Sequence, residues 1–435
     1  TLLMPENAAF REYVLRETAG SAERRAEVEA LLERMIYPTL YALFETGVYD
    51  RDFNDPSLFA RFEGHKALAA RCAAEAMVLL KNQRNILPLK PGQRILLTGT
   101  DEIHSGTGSG FVKGYEHVSY EQGLRAVYGD DLICQTDPDR ETVRKADVVL
   151  FRLNKPAGEG LDIPYEEPAD QLERLRETAG LNKNVIVLIN ACNVMPMDWL
   201  KDVRGVVWCY FLGTALAALL SGRENFSGKL PFTVERDFAD SPAPRFNYIG
   251  GKPYWHGNNQ YKNYWLGLKK DPVKGFSDHI RPGETIDVPY SEGVFIGYRW
   301  YDKHRIPYVF PFGYGLSYTS FTYESIACED RMEREGRVLV TVRVRNGGGR
   351  AGKEIVQLYV SDTRSSVERP EKELKAFAKV ALEPGESKTV TLELDRRSFS
   401  FWDTESHGWK LERGEFVLRA GGSSADLPLS TVLNL

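Results

Sequence analysis

The 435-residue chain contains no run of about 18 apolar residues, so nothing in it reads as a membrane-spanning helix. Cysteine is scarce, with five residues at 72, 134, 192, 209 and 328, and they form no C-x-x-C pair and no zinc spacing. An odd, scattered set reads as free thiols in a reducing compartment, which leans toward the cytoplasm. The seven histidines (65, 104, 117, 256, 279, 304 and 407) show no ligand-pair spacing, so neither a metal nor a cofactor is expected. A basic excess is also missing. Against 56 Lys and Arg stand 61 Asp and Glu, a net charge of −5, which argues against nucleic acid as the main partner. The chain lacks an initiator methionine as well, opening on Thr1-Leu2-Leu3-Met4-Pro5, which predicts a segment before Thr1. What is present is ordinary for a globular protein: 42% apolar and 27% charged residues, enough to bury a core. Aromatics reach 11%, which suits either sugar-binding clefts or large β-rich cores.

Residues 1–80 read as helical. Val28, Leu31, Leu32, Met35 and Ile36 recur on one helical face, and the Ala-rich stretch His65–Leu80 predicts a second helix. Asn54-Asp55-Pro56 is a turn between them. These helices need something outside themselves to pack on. From residue 81 to 317 the pattern changes. Continuous apolar runs at Ile95–Leu97, Val148–Leu150, Val185–Ile189 and Val206–Cys209 suit strands buried on both faces. Helical stretches such as Pro168–Thr178 and Thr214–Ser221 lie between them, which predicts a layered α/β domain with a parallel sheet. Within it, the density of Tyr and Trp over residues 241–290 predicts an ordered, aromatic-rich insertion. From 318 to 435 the chain reads as all-β. Val338, Val340, Val342 and Val344 alternate with other residues, Val356, Leu358 and Val360 repeat the pattern, and turn clusters at Asn346–Gly349, Glu383–Gly385 and Ala420–Gly422 separate the runs. This predicts an antiparallel sandwich.

Two loops could carry chemistry. The first, Ser105-Gly-Thr-Gly-Ser-Gly-Phe111, follows a buried strand. It fails as a P-loop, having no Gly-Lys-Ser/Thr, and its G-x-G-x-G spacing is wrong for a dinucleotide site, although Asp130 and Asp131 lie near the distance of a ribose-binding acid. A nucleophile elbow at Ser109 needs glycine at 107 and 111, which are Thr and Phe. A plain surface turn remains open, with His104 as a substrate contact or a solvated loop residue. The second loop, Gly158-Glu-Gly-Leu-Asp162, follows the strand at Val148–Leu150. Ligands of open α/β sheets bind outside carboxyl strand ends, and glycines flanking Glu159 leave its carboxylate uncrowded. A partly dry cleft would raise its pKa enough for a general acid. Glu166 and Glu167 read as the start of the following helix. Asn225-Phe-Ser227 matches a glycosylation sequon, which is common by chance.

The segments together resemble glycoside hydrolase family 3, the β-glucosidase and β-xylosidase family. The resemblance rests on Ala73-Ala-Glu-Ala-Met-Val-Leu-Leu-Lys-Asn82 with Leu87-Pro-Leu89, on Gly158–Asp162 and on Asn225-Phe-Ser-Gly-Lys-Leu-Pro-Phe232. It continues through Tyr290-Ser-Glu-Gly293, Gly297-Tyr-Arg-Trp-Tyr-Asp302 and Phe310-Pro-Phe-Gly-Tyr-Gly-Leu-Ser-Tyr-Thr319. Val344-Arg-Asn-Gly347, Gly352-Lys-Glu-Ile-Val-Gln-Leu-Tyr359 and Leu374-Lys-Ala-Phe377 resemble its fibronectin type III-like domain. The resemblance implies a (β/α)8-type barrel, then an α/β sandwich, then the fibronectin-like sandwich, with residues 1–80 a helical remnant of the barrel. It implies a retaining mechanism in which a barrel Asp is the nucleophile and Glu159 the acid/base. His104, Ser109, Gly110 and Phe111 would then face substrate.

The nucleophile is expected before Thr1, on a missing barrel segment or a partner chain. Two further departures are Ile163, where the family often has Arg, and Phe211-Leu-Gly-Thr214 in place of a Pro-Gly-Gln-Glu-like stretch. The first expectation is therefore part of an exo-β-glycosidase acting on a β-glucoside or β-linked oligosaccharide, with the barrel polypeptide as partner and a homo-oligomer left open. The alternative is a non-catalytic carbohydrate-binding or interaction protein that retained the fold. Linkage preference would involve Tyr254, Trp255, Tyr261, Tyr264 and Trp265 only if these rings face sugar instead of packing the insertion.

Overall fold

The structure is a computed structural model that describes residues 8–52, 55–100, 117–155, 165, 168–191, 193–209, 213–242, 248–249, 252–253 and 292–435. It divides into two compact units, Thr1–Leu68 and Ala69–Leu435.

The first unit is helical, as expected. Helices α1 (Ala8–Thr18) and α2 (Ala22–Glu45) are separated by Ser21, whose side chain caps α2 by accepting from the Arg24 N–H. Asp55 caps the 3-10 turn Pro56–Arg61 through the Ser57 N–H. The apolar face read from α2 is mostly uncovered: Val28 is buried, whereas Leu31 and Ile36 are about half exposed. The helix expected over His65–Leu80 is α3 (Phe62–Ala76), and it stops short. Val78–Asn82 is instead strand β1, because Met77 to Leu80 is a run buried on every side, which a one-sided helix cannot accommodate.

Strand β1 lies at the edge of a six-stranded sheet. The others are β2 (Ile95–Gly99), β3 (Leu132–Cys134), β4 (Val148–Lys155), β5 (Val185–Ala191) and β6 (Gly205–Cys209), in the order β1-β6-β5-β4-β2-β3. All neighbours are parallel except β1 and β6. The continuous Val/Ile/Leu runs explain this placement, since alternate residues feed two cores. Val149, Phe151 and Leu153 of β4 with Val185, Val187 and Ile189 of β5 join Leu172 and Leu175 on one face. Val148, Leu150, Ile186 and Leu188 join Tyr120, Leu124 and Leu216 on the other. The first face is covered by α5 (Arg140–Lys145) and α6 (Ala169–Leu181), the second by α4 (Tyr120–Tyr128) and α7 (Gly213–Leu220). Each fully buried Leu or Ile contributes roughly 1.5–3 kcal/mol. Helices α4 and α7 approach through glycine: a Cβ on Gly123 would lie 2.3 Å from the Gly213 carbonyl oxygen.

The domain continues through β7 (Val234–Glu235), the two-residue strands β8 (Tyr248–Ile249) and β9 (Lys252–Pro253), helix α8 (Tyr298–His304) and β10 (Tyr308–Phe310), which pairs with β7. The rest of the expected aromatic insertion lies outside the described residues.

The C-terminal sandwich has one sheet of β11 (Phe321–Arg331), β12 (Arg337–Asn346) and β15 (Ser387–Asp395). Its other sheet is β14 (Glu373–Leu382), β13 (Gly352–Asp362), β16 (Glu415–Gly421) and β17 (Leu429–Asn434). The four valines of β12 and Val356, Leu358 and Val360 of β13 point into its core, as their alternation predicts. On β13, however, Gln357, Tyr359 and Ser361 are buried too. The α/β domain covers that face. Gln357 Nε2 donates to the carbonyls of Gly313 and Gly422, and Tyr359 packs edge-on against Tyr298. Lys229 bridges to Glu354 at 3.2 Å, Lys372 to Asp302 at 2.6 Å, and Asn225 holds Tyr318, Ser317 and Ala351. The amide of the sequon at Asn225 is thus committed to a domain junction.

Candidate active site

The sheet order contains a reversal. From β2 the chain moves outward to β3, then crosses back to β4 on the other side of β2. Parallel strands β2 and β4 therefore flank a topological switch point, where ligands of open α/β sheets bind beyond the carboxyl ends. Residues 101–116 follow β2 and residues 156–164 follow β4, so both sequence candidates leave the same sheet edge from neighbouring strands. The predicted site residues His104, Ser109, Gly110, Phe111 and Glu159 lie outside the described residues, as do Asp162, Glu166, Glu167 and the 254–265 aromatics.

The ends of these strands are tightly built. Gly99 closes β2 at φ +100°, and a Cβ there would sit 2.3 Å from the Arg152 carbonyl oxygen, so only glycine fits. Strand β4 runs three residues further. The side-chain amide of Gln171 on α6 accepts from the Asn154 N–H and donates to the Asn154 carbonyl, both at 2.9 Å, imitating a strand partner. Lys155 is 2% exposed. Its ammonium donates to the carbonyls of Tyr165 (3.1 Å) and Val194 (2.7 Å) and lies 5.7 Å from the Tyr165 ring centre. The Tyr165 hydroxyl donates to the carbonyls of Glu235 and Arg236 at 3.4 Å each. Glu235 is itself buried. Burial pushes its carboxyl above the ordinary value, while its own backbone, the Tyr301 hydroxyl and the Lys155 charge pull the other way.

Sequence reasoning missed this Lys155–Tyr165–Glu235 cluster. The available signal was a lysine at the end of a run, Val148 to Lys155, that is buried at every position.

The ribose-acid expectation for Asp130 and Asp131 does not hold. Both precede β3, and Asp131 accepts from the Gly92 N–H, so they sit at the amino end of the sheet, opposite the glycine loop. The nucleotide reading loses its acid for that reason. Among the described residues, no three His, Cys, Asp or Glu side chains gather as a metal site.

Comparison with known proteins agrees with this architecture. Residues 77–318 match the glycosyl hydrolase family 3 C-terminal domain, and residues 354–424 match the fibronectin type III-like domain. Thermostable beta-glucosidase B of Acetivibrio thermocellus is 35% identical over 430 residues, covering 92% of this chain and 51% of that protein. An exo-alpha-(1->6)-L-arabinopyranosidase of Bifidobacterium breve is 32% identical, covering 84% of this chain and 48% of its own length. The crystal structure of a Bifidobacterium adolescentis GH3 beta-glucosidase superposes with a TM-score of 0.77 at 28% identity, over 99% of this chain and 61% of that one. The chain thus spans about half the length of the curated relatives it matches. A domain match over more than half the chain, on a sheet of the observed topology, makes this protein a member of glycosyl hydrolase family 3.

Proposed function

We propose that the chain supplies the acid/base half of a retaining exo-β-glycosidase of β-glucosidase type. Glu159 donates a proton to the glycosidic oxygen as the bond to the anomeric carbon breaks. An Asp on a barrel segment or partner chain attacks that carbon, forming a glycosyl ester. Glu159, now a carboxylate, takes a proton from the water that hydrolyses the ester. Such a pair needs carboxyl groups about 5–5.5 Å apart, so the loop after β4 must face the barrel across one cleft. His104, Ser109, Gly110 and Phe111, following the neighbouring strand β2, would wall the aglycone side. The observation that carries this reading is the departure of both loops from adjacent parallel strands at the switch point. The family membership and the names of the relatives support a glycosidase, with β-glucosides as the substrate class.

The test is hydrolysis of aryl β-glucosides by the chain with and without the barrel polypeptide. Activity is expected only with the barrel. In that active form, Glu159→Gln should slow poor leaving groups by about 10²–10⁴-fold, and azide should restore turnover of activated ones. Full activity of the lone chain would overturn the assignment of the nucleophile. An active complex indifferent to Glu159→Gln would overturn the acid. An inactive complex that still binds β-glucosides would favour the non-catalytic alternative.

A further inference from the structure

We infer that Trp402 and Trp409 form a carbohydrate-binding platform on the C-terminal sandwich, with an extended β-linked glucan as its ligand. The choice of a β-linked ligand rests on the proposed glycosidase reading; the platform does not. Both residues lie on a hairpin of Ser400–Asp403 and Gly408–Leu411, a two-stranded sheet separate from the two sheets of the sandwich. Its register pairs Trp402 directly with Trp409, and directly paired side chains share a face. On the same face, one pair closer to the base of the hairpin, Ser400 is buried and Leu411 packs on the sandwich core. The tryptophans stand one pair further out, 50% and 49% exposed, with ring centres 5.7 Å apart and ring planes at 77°. The Arg397 guanidinium lies 4.2 Å from the centre of the Trp409 ring. At the tip, Asp403 accepts from the Ser406 hydroxyl at 2.6 Å and from its N–H at 3.3 Å, which ties the turn to the strand.

A cross-strand tryptophan pair stiffens a hairpin, but stiffening does not require half of each ring to stay in water. Among the described residues the other tryptophans, Trp199, Trp208 and Trp300, are 1–5% exposed, so the exposure belongs to this pair. Two half-exposed indoles offer about 250 Å², against about 800 Å² a side in a stable protein–protein interface. That area is too small for a second copy of the chain and matches one or two sugar units. In β-glucopyranose every ring substituent is equatorial, which leaves two flat faces of axial C–H groups. An indole covers such a face while the hydroxyls around the sugar's edge stay in water or meet polar side chains. Arg397, exposed beside Trp409, supplies donors for them. Rings held by paired strands lose little freedom on binding, and Trp and Arg are the residues that most often dominate small binding surfaces. Such a platform would hold a glucan near an enzyme that works on chain ends, raising the local concentration of those ends.

The test is affinity electrophoresis of the full chain, alone and with the barrel polypeptide, in native gels holding soluble mixed-linkage β-glucan, soluble starch or neither. Wild type should be retarded by β-glucan and not by starch. Trp402→Thr and Trp409→Thr keep strand propensity while removing one ring. Each should weaken the Kd for β-glucan about tenfold, and the double variant should run as if no glucan were present. No retardation of wild type, retardation by starch as strong as by β-glucan, or a double variant that binds like wild type overturns the inference. So does a double variant that lowers the urea midpoint and leaves binding intact, because the pair is then purely structural. Sedimentation is run alongside. A wild-type dimer that the double variant dissolves, with β-glucan binding unchanged, makes a second copy the occupant and overturns the inference. Should the double variant fail to fold, the single variants carry the test, and no weakening in either overturns it. Hydrolysis of aryl β-glucosides measured on the same samples separates the two ideas. An inactive complex whose β-glucan binding still depends on the two rings refutes the glycosidase reading and not the platform.

Discussion

Replacing Lys229 with methionine strips the partner from one of the most buried carboxylates in the protein. Glu354 side-chain exposure is 6% and that of Lys229 is 12%, with 3.2 Å between nitrogen and oxygen. At an effective dielectric of 20, that separation corresponds to about 5 kcal/mol of gross attraction, most of it offset by desolvation. Without Lys229, Glu354 keeps a hydrogen bond from the Tyr323 hydroxyl and can escape its buried charge by taking up a proton. Taking a proton at pH 7 from the ordinary value of 4.5 costs about 3.4 kcal/mol, which caps the electrostatic loss. The Gly315 carbonyl also loses its 3.0 Å donor, about 1 kcal/mol, and relief of lysine desolvation returns part of the total. The expected destabilisation is about 2–4 kcal/mol, read by urea unfolding. The sign with pH follows from burial, which raises the Glu354 carboxyl in the folded state despite Lys229. The folded state then binds more protons than the unfolded one above pH 4.5, so stability falls as pH rises through that window. Lys229→Met widens the window upward, and its stability should decline more steeply than wild type between about pH 5 and 7. The double variant Lys229→Met/Glu354→Gln should recover about half of the loss. A Lys229→Met protein within about 0.5 kcal/mol of wild type, with an unchanged pH slope, would refute the idea that this pair holds the junction.

Other outcomes follow from single contacts. Gly99→Ala forces a Cβ into the Arg152 carbonyl at a positive φ and should cost about 2–4 kcal/mol, or yield insoluble protein; wild-type stability would contradict the β2 geometry. Lys353 and Lys379 hold the Glu75 carboxyl down at about 2, so their contribution is present above pH 4.5 and lost as pH falls toward 2. Glu75 is a third exposed, so that contribution is about 1 kcal/mol, and Glu75→Gln should flatten acid unfolding over that range alone. Burial pushes the Cys134 thiol up to about 11 and Cys209 higher still, while Cys72 is exposed. A thiol reagent at pH 8 should therefore label Cys72 first and leave Cys209 untouched until the chain unfolds, and early labelling of Cys209 would contradict its burial.

The order of the two layered domains was legible because periodicity is local. Continuous apolar runs at Val148–Leu150 and Val185–Ile189 had to be buried on both faces, and the alternating valines of β12 on one. Family motifs were legible as strings, but their work was not. Asn225, Lys229, Glu354 and Gln357 turn out to join two domains. Helix and strand propensity also misplaced the end of α3, since only the neighbouring strand β6 gives Val78–Asn82 a ladder to complete.

Sequence alone determined the family, the succession of α/β and β layers and the two loops worth testing, because each is written in nearest-neighbour patterns. The tertiary structure decided which strands are adjacent, and hence that both loops leave one edge at the switch point while Asp130 and Asp131 leave the other. It also decided that Lys155 and Glu235 are buried together and that β13 is covered on both faces. Burial of that kind depends on which distant surfaces meet, and no local pattern of residues encodes it.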